Sequence, residues 1–254
     1  MSSYIGKHAG LYDIFYAGKP YAQEAEFIHG LINKHGISKN RKMLELACGT
    51  GNHAIEFSRL GYDILATDYS VDMLEIAKQK LLEKSVKVAL MDMSEVGSLY
   101  EKFGSVVCLF DSIGYLQTNK KLQATFNGVY KSLEQGGVFI VECWHAAAMI
   151  KSFEPYRERH FNNDRMTICR KSNTVIDYQN QTCSVSYDIS VIDNLANLRY
   201  NISETQVNRF FLLKEIELLA SISGFTLVSY FGGYDECLTI DEEAWHLLLV
   251  LKKL

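Results

Sequence analysis

The first 143 residues alternate between short apolar runs and longer segments whose apolar residues recur every three or four positions. This alternation limits the possible folds more than any other feature of the chain. Apolar runs that predict buried strands lie at 42–47, 63–67, 86–91, 106–110 and 138–141. Helical patterns separate them, as in the segment after Ser70, where Leu74, Ala77 and Leu81 share one face. We therefore predict an α/β fold with a doubly wound, mostly parallel sheet, completed to seven strands by 226–231 and 246–251.

The middle of the chain follows a period of two instead. Between Cys183 and Val191 apolar residues alternate with Ser184, Ser186, Asp188 and Ser190. This pattern predicts an antiparallel β insertion of three or four strands over 155–210, after the fifth strand, with one polar face. The polar face has two interpretations, a lid over the site or the surface of a possible homodimer. We expect a single domain over 1–254, with 1–40 as an N-terminal lid and helix segment.

Composition and charge exclude several classes of protein. The 26 Lys and Arg against 30 Asp and Glu give a net charge of -4 without a basic stripe, so no nucleic-acid partner is expected. The longest apolar runs, 106–110 and 247–251, are far shorter than the ~20 residues that span a bilayer, and no signal-peptide pattern is present. The six cysteines lack C-x-x-C spacing and the seven histidines lack H-x-x-x-H spacing, which predicts no metal. We expect a cytoplasmic protein that acts on small molecules and does not bind a membrane.

The most informative stretch is LELACGTGNHA, residues 44–54. Small residues at Ala47, Gly49 and Gly51 allow a ligand to approach the backbone, and the following helix offers unpaired N–H groups. The stretch matches G-x-G-x-x-G/A, the pattern of dinucleotide-binding turns. Glu45, however, would repel a pyrophosphate at the end of the strand. S-adenosylmethionine, which has an ammonium, a sulfonium and a carboxylate but no phosphate, fits this charge better.

Acidic residues follow the next two strands. Asp68 ends the second strand, where a carboxylate can accept both ribose hydroxyls; the alternative is a turn residue before Ser70. Tyr69 and Met73 are suited to cover the ribose and adenine, although Met73 also fits a helix core. Asp92, with Met93, can accept from the adenine amino group; the alternative is a solvated loop acid.

Together these motifs resemble class I S-adenosylmethionine-dependent methyltransferases. The resemblance rests on E-x-A-x-G-x-G at 45–51, the downstream acid, D-M after the third strand and F-D-S-I-G-Y-L at 110–116. Ala47 stands where the family's first glycine is usual. The segment 11–28 and the run 141–144 are similar to nucleotide-linked amino-sugar N-methyltransferases.

The resemblance also implies roles for individual residues. Cofactor contacts are implied for Tyr12, Tyr21 and Phe110. Acceptor contacts are implied for Asp111, Tyr115, Glu142 and Trp144, with His145 in place of an expected aromatic residue.

Methyl transfer from a sulfonium is an in-line displacement that depends mainly on placing the acceptor lone pair against the methyl carbon. His145, Glu142, Asp111 and Tyr115 are candidate bases. His145 has a suitable intrinsic pKa of ~6.5, and Tyr115, with a phenol pKa of ~10, is expected to position the acceptor. We therefore predict a small-molecule methyltransferase that acts on the nitrogen of a nucleotide-linked amino sugar. An O-methyltransferase acting on a sugar is a close alternative, and an NAD-dependent oxidoreductase or a non-catalytic S-adenosylmethionine-binding protein are more distant ones.

Overall fold

A computed structural model of the chain describes residues 4–82, 84 and 86–254. Its main sheet has seven strands in the order β10-β11-β5-β4-β1-β2-β3. The strands of this sheet are β1 Lys42–Leu46, β2 Asp63–Asp68, β3 Val86–Leu90, β4 Phe103–Cys108, β5 Leu133–Trp144, β10 Thr226–Phe231 and β11 His246–Lys252. The helices are α1 Tyr12–Phe15, α2 Tyr21–His35, α3 Asn52–Arg59, α4 Val71–Leu81, α5 Asn119–Ser132, α6 Ala146–Ser152 and α7 Leu213–Ile222.

The first five strands of the sheet are parallel, and β11 and β10 are antiparallel to their neighbours. β1 lies between β2 and β4, so the chain reverses its direction of travel across the sheet at this point. In doubly wound sheets such a reversal opens a crevice at the carboxyl ends of the strands. The predicted fold is confirmed, and the crevice lies where the glycine-containing turn follows β1.

Two apolar clusters cover the two faces of the main sheet. On one face, Ile28 of α2, Phe57 of α3 and Leu74 of α4 are buried with side chains of the central strands. On the other, Phe126 of α5 and Ile216 of α7 are buried in a second cluster. Burial of apolar surface on both faces is what the continuous apolar runs of the parallel strands require.

The predicted antiparallel insertion is confirmed as a separate sheet in the order β6-β7-β8-β9. Its strands are β6 Tyr156–Asn162, β7 Met166–Asp177, β8 Thr182–Asp193 and β9 Leu198–Arg209. Leu11 and Phe15 of the N-terminal segment are buried against Ile168, Ile189 and Val191 of this sheet. The insertion and the N-terminal segment therefore form one body above the crevice.

Two strands, β4 and β5, differ from the sequence prediction by more than one residue at each end. β4 ends at Cys108, because Phe110 and Asp111 have φ angles of 53° and 58° that no strand residue adopts. β5 begins at Leu133 rather than Val138. Within the described residues, no helix is both long enough and apolar enough to cross a bilayer.

Candidate active site

A cavity of about 570 Å³ lies between the carboxyl ends of β1, β2 and β4 on one side and the insertion sheet on the other. It contains most of the site residues that the sequence predicts. Those that line it are Tyr12, Ala47, Gly49, Asp68, Tyr69, Met73, Phe110, Asp111, Tyr115 and Trp144. A smaller recess of about 30 Å³ shares Tyr12, Gly49 and Phe110 with the cavity and adds Tyr21 and Glu45.

Glu45 forms the acidic end of the recess. Its side chain is 3% exposed, and its Oε2 atom is buried without a hydrogen-bond partner in the described part of the chain. Burial, with the nearby charge of Asp68, raises the pKa of Glu45 to about 8. An orphaned carboxyl oxygen is costly, and an ammonium group in the recess would satisfy it.

The two glycines of the turn have different roles. Gly49 has a φ of +57°, and a Cβ atom added there would meet nothing within 4 Å. Gly51 has a φ of +79°, and an added Cβ would lie 2.9 Å from Cδ1 of Leu81. Gly49 therefore leaves open space beside the cavity for a ligand, whereas Gly51 lies outside the cavity lining and permits close packing of α3 on α4.

Asp68 combines the two roles that its sequence position suggests. Its Oδ2 accepts the N–H of Gly49 at 2.9 Å, and its Oδ1 accepts the N–H of Ser70 at 2.8 Å, so the carboxylate holds the turn together. It also lines the cavity. Since each carboxylate oxygen can accept more than one hydrogen bond, Asp68 can still receive ribose hydroxyls.

The adenine contact predicted for Asp92 stays a prediction, because Asp92 is bound to its own neighbours in this structure. Oδ1 of Asp92 accepts from the N–H and hydroxyl of Ser94, and Oδ2 receives Nζ of Lys121 at 3.0 Å. Met93 is 6% exposed and belongs to the apolar cluster beneath α5. Neither residue lines the cavity or the recess. The physical reason is that Asp92 caps the 3₁₀ turn Met93–Ser98, which turns Met93 into the core.

His145 is likewise outside the cavity lining. It is buried at the start of α6, where its Nδ1 lies 3.1 Å from the carbonyl oxygen of Ala244. Because successive side chains of a strand point to opposite faces, Trp144 faces the cavity and His145 does not. The imidazole that lines the cavity is that of His246, which pairs directly with Trp144 across β5 and β11.

His246 joins two buried carboxylates. Its Nδ1 lies 3.2 Å from Oδ1 of Asp111 and 3.1 Å from Oε1 of Glu142. Glu142 Oε2 accepts the N–H of Phe110 at 2.5 Å and the hydroxyl of Tyr234 at 2.6 Å. The two carboxylates, Asp111 first, raise the pKa of His246 far above its ordinary value. Burial would raise the pKa of Glu142, but its hydrogen bonds, first that from His246, lower it below the usual range.

Asp111, Glu142 and His246 also offer three donor atoms that lie within 4.8 Å of one another, close enough to hold a metal ion. In the arrangement described here, Nδ1 of His246 can donate its proton to the two carboxylates, and a metal ion would have to displace that proton. A second set of donor atoms, from Glu158, His160 and Cys169, lies at the surface of β6 and β7. Sequence spacing did not reveal this set because its members meet only through the pairing of two strands.

The N-terminal segment is tied to the turn after β1 by a residue that sequence reasoning missed. Oδ1 of Asp13 accepts the hydroxyl of Thr50 at 2.7 Å and the amide of Asn52 at 3.0 Å. Oδ2 of Asp13 receives Nζ of Lys80 at 2.9 Å. These contacts hold Tyr12 and Tyr16 over the cavity, where Tyr16 packs against Phe110 with ring centroids 5.0 Å apart. The only sequence signal was the position of Asp13 inside the LYDIF segment.

Three guanidinium groups of the insertion sheet also line the cavity: Arg157, Arg159 and Arg170. Arg157 is paired with Glu154, and Arg170 lies over the rings of Phe15 and Phe161 at 4.4 and 5.0 Å. Sequence reasoning missed these three arginines, because strand alternation predicts which face of the sheet a residue lies on but not which part of the protein that face packs against.

The arrangement of Glu45, Gly49 and Asp68 along the recess and the cavity fits S-adenosylmethionine. Glu45 would receive the ammonium, and Asp68 the ribose hydroxyls. Tyr69 and Met73 would cover the nucleoside. Tyr12, Tyr21 and Phe110 would surround the sulfonium, whose positive charge favours aromatic faces and hydroxyl oxygens.

Comparison with known proteins finds a methyltransferase domain in the part of the chain that contains the turn after β1. Residues 43–137 match the family model described as a methyltransferase domain. The dTDP-3-amino-3,4,6-trideoxy-alpha-D-glucopyranose N,N-dimethyltransferase of Streptomyces venezuelae is 37% identical over 139 residues, 54% of this chain and 57% of that protein. Thus the matched region spans little more than half the length of this relative.

Solved structures resemble nearly the whole chain. Streptomyces venezuelae DesVI has a TM-score of 0.80 and 27% identity, and the match covers 96% of this chain and 97% of that one. An S-adenosylmethionine-dependent methyltransferase of Clostridium acetobutylicum has a TM-score of 0.82 and 20% identity, with 97% of each chain covered.

Residues 43–137 thus match a methyltransferase domain, in agreement with the sequence prediction, and nearly the whole chain has the fold of the two solved structures. The chain is similar to the amino-sugar N,N-dimethyltransferase of S. venezuelae over 54% of its length.

Proposed function

We propose that this protein transfers a methyl group from S-adenosylmethionine to the amine nitrogen of a nucleotide-linked amino sugar. The observation that carries the proposal is the opposite charge of the two ends of the acceptor space. Arg157, Arg159 and Arg170 line the cavity on the insertion sheet, and Asp111 lines it beside the carboxyl end of β4. A nucleoside-diphosphate amino sugar has anionic phosphates and a cationic amine, and so complements both ends.

The arginines suit a diphosphate for a chemical reason. Guanidinium groups form paired, charge-assisted hydrogen bonds with phosphate oxygens. Arg159 has no ion-pair partner among the residues described, and it lines the cavity. A free amino sugar would leave these groups without a ligand. The named activity of the S. venezuelae relative, an N,N-dimethyltransferase of a dTDP-linked amino sugar, supports the same acceptor class.

Mechanistically, the protein has to align the two reactants and remove a proton. The cofactor supplies a methyl group on a cationic sulfonium. Tyr115, at the end of the 3₁₀ turn after β4, and Trp144 would orient the acceptor so that its nitrogen lies in line with the methyl carbon. Glu142 would act through the backbone, since its hydrogen bond to Phe110 fixes the loop between the two ligands.

Nitrogen is favoured over oxygen as the acceptor atom by the groups that line the cavity. An alcohol needs a strong base, whereas an ammonium needs only a base near neutrality. Asp111 is such a base, because burial raises its pKa above the ordinary range despite the opposing effect of His246. An O-methyltransferase is the alternative. An acceptor that carries a hydroxyl in place of the amine distinguishes the two activities.

A comparison of two acceptors tests the proposal. We expect the wild-type protein to methylate a nucleoside-diphosphate amino sugar with a KM at least ~30-fold lower than that of the same amino sugar without the nucleotide. Arg159→Gln should raise the KM for the nucleotide-linked acceptor about tenfold and leave the KM for the free sugar unchanged. Arg199→Gln, an exposed arginine outside the cavity lining, is the matched control. Equal use of both acceptors by the wild type would overturn the proposal.

The setting predicted from the sequence belongs to this proposal as well. We propose a single catalytic domain over 1–254 that works in the cytoplasm on a small-molecule acceptor, without a nucleic acid. The exposed outer face of the insertion, with Ser186, Asp188 and Ser190, is the surface available to a second copy in a homodimer.

A further inference from the structure

The loop after β4 has an unusual backbone at the point where it meets the cavity. Phe110 and Asp111 are consecutive non-glycine residues with φ angles of 53° and 58°. Each such residue costs about 1 kcal/mol or more, and strain of this kind persists where surrounding contacts enforce it. Here the enforcing contact is Glu142, whose Oε2 accepts the N–H of Phe110 at 2.5 Å.

The strained loop turns the carboxylate of Asp111 toward His246. Oδ1 of Asp111 lies 3.2 Å from Nδ1 of His246, and the carboxylate is 4% exposed while lining the cavity. Oδ2 of Asp111 has no hydrogen-bond partner among the described residues. One oxygen of Asp111 is thus fixed by the protein, and the other is left for a ligand.

The charged groups around Asp111 determine the net charge of the cluster formed by Asp111, Glu142 and His246. Groups that face Asp111 from the neighbouring elements are His246 of β11, Glu142 of β5, and Lys19 of the segment before α2. Tyr234 contributes a neutral hydroxyl to Glu142, and Cys108 and Cys143 are buried thiols whose pKa burial raises. With His246 protonated and both carboxylates ionised, the three-residue cluster carries one net negative charge, and the charge of Lys19 is balanced by its ion pair with Glu24. It therefore attracts a cation, and Asp111 is its member with a free oxygen at the cavity.

We infer that Asp111 is the catalytic proton acceptor for the acceptor's ammonium group, and that His246 is the residue that positions Asp111 and sets its basicity. The inference rests on the proposed function. The ammonium R–NH₃⁺ gives a proton to Asp111, which leaves R–NH₂ and a neutral carboxylic acid. The amine lone pair then forms the N–CH₃ bond as the S–CH₃ bond breaks, giving R–NH₂CH₃⁺ and S-adenosylhomocysteine. Asp111 releases its proton to solvent, and a second methyl transfer can use the same steps.

The direct test is the pH dependence of kcat, measured from pH 5.5 to 9.5 at saturating S-adenosylmethionine and nucleotide-linked amino sugar. In the wild type, we expect kcat to fall only on the acidic side, as Asp111 becomes protonated. Asp111→Asn should lower kcat at pH 7 by about 100-fold or more, the usual size of a general-base effect. Its residual kcat should rise with pH until the acceptor's own ammonium is deprotonated.

The variant of the positioning residue should behave differently. His246→Gln removes the positive charge that stabilises ionised Asp111, so the acidic limb should move to higher pH. We expect kcat to fall about tenfold at pH 7 and to recover above pH 8.5, which a merely structural defect would not produce. His145→Gln, at a histidine outside the cavity lining, is the matched control and should keep the wild-type pH profile.

A second readout does not depend on activity. Imidazole resonances followed by NMR should show His246 still protonated at pH 8.5 in the wild type and titrating nearer its ordinary range in Asp111→Asn. An Asp111→Asn enzyme with wild-type kcat, or a His246 that titrates near pH 6.5 in the wild type, would overturn the inference. A wild type that leaves every amino sugar unmethylated would instead overturn the proposed function and, with it, this inference.

Discussion

The hydroxyl of Thr50 donates a hydrogen bond of 2.7 Å to Asp13, and this contact joins the N-terminal aromatic segment to the turn after β1. Thr50 follows Gly49 in the turn, and Asp13 follows Tyr12 in α1. The position of Tyr12 over the cavity is therefore coupled to the conformation of the turn that would hold the cofactor.

Loss of this link should weaken cofactor binding. We expect Asp13→Ala to raise the Kd for S-adenosylmethionine about tenfold, since two hydrogen bonds to the turn and the ion pair with Lys80 disappear together. Isothermal titration calorimetry measures the effect, with Asp164→Ala at an exposed loop as control. Unchanged affinity in Asp13→Ala would show that the link has no role in binding.

Cofactor binding should also protect the N-terminal segment. Residues 11–16 pack on both the turn and the insertion, so a bound ligand between these surfaces should order them further. We expect proteolysis within residues 4–25 to slow when S-adenosylmethionine is added, and to slow less in Asp13→Ala. Equal cleavage with and without the cofactor would contradict this.

Alanine substitutions at Gly49 and Gly51 should differ in their effects on cofactor affinity and on the free energy of unfolding. Gly49→Ala should cost only about 1 kcal/mol of unfolding free energy, from its positive φ, because space exists for the new Cβ. The same methyl group occupies the place of the ligand, so affinity for S-adenosylmethionine should fall by at least ~30-fold. Gly51→Ala should cost more stability, about 2–4 kcal/mol, because its Cβ meets Leu81 as well. Chemical denaturation and calorimetry of both variants check the contrast, which fails if Gly49→Ala binds as the wild type does.

Glu45 should release a proton when the cofactor binds. Its pKa of about 8 leaves the carboxyl mostly neutral at pH 7, and an ammonium group beside it favours the ionised form. Calorimetric titrations in buffers of different ionisation enthalpy should show release of close to one proton per site in the wild type. Glu45→Gln should show less release and weaker binding. Binding heats that do not depend on the buffer would contradict the assignment of Glu45 to the ammonium.

The same carboxyl should make the ligand-free protein less stable in base. Because the folded pKa of Glu45 lies above the unfolded value of ~4.3, the folded state binds the extra proton, and its contribution is lost as pH rises from about 4 to about 8. The loss is at most about 5 kcal/mol by this linkage. Glu45→Gln should therefore gain stability relative to the wild type between pH 6 and pH 9 in urea denaturation. A stability difference that does not change with pH would be evidence against a buried, neutral Glu45.

The sheet, the insertion and the position of Glu45 and Asp68 at one edge of the sheet could be predicted from sequence because they depend on local patterns. Glu45 and Asp68 end adjacent strands, so strand periodicity alone places them at one edge. His246 could not be found this way, because it reaches Asp111 only through the register of β11 on β5.

Asp92 lies where the sequence pattern predicts it, but its hydrogen bonds in the structure could not be predicted from that pattern. The sequence places an acid after the third strand, as the resemblance implies, but in this structure Asp92 accepts from Ser94 and Lys121 and does not line the cavity. The contact with Lys121 comes from α5, far along the chain, and no local sequence pattern predicts it. His145 lies outside the cavity lining for a simpler reason, since one step along the chain from Trp144 reverses the direction of the side chain.

Mass spectrometry of two parallel reactions tests directly whether the protein methylates the nitrogen of a nucleotide-linked amino sugar. Purified protein is incubated with S-adenosylmethionine and a nucleoside-diphosphate amino sugar, in parallel with the matched sugar that carries a hydroxyl in place of the amine. We expect one or two methyl increments on the amine and none on the hydroxyl compound. Methylation of the hydroxyl compound alone, or of neither compound while the cofactor binds, would contradict it.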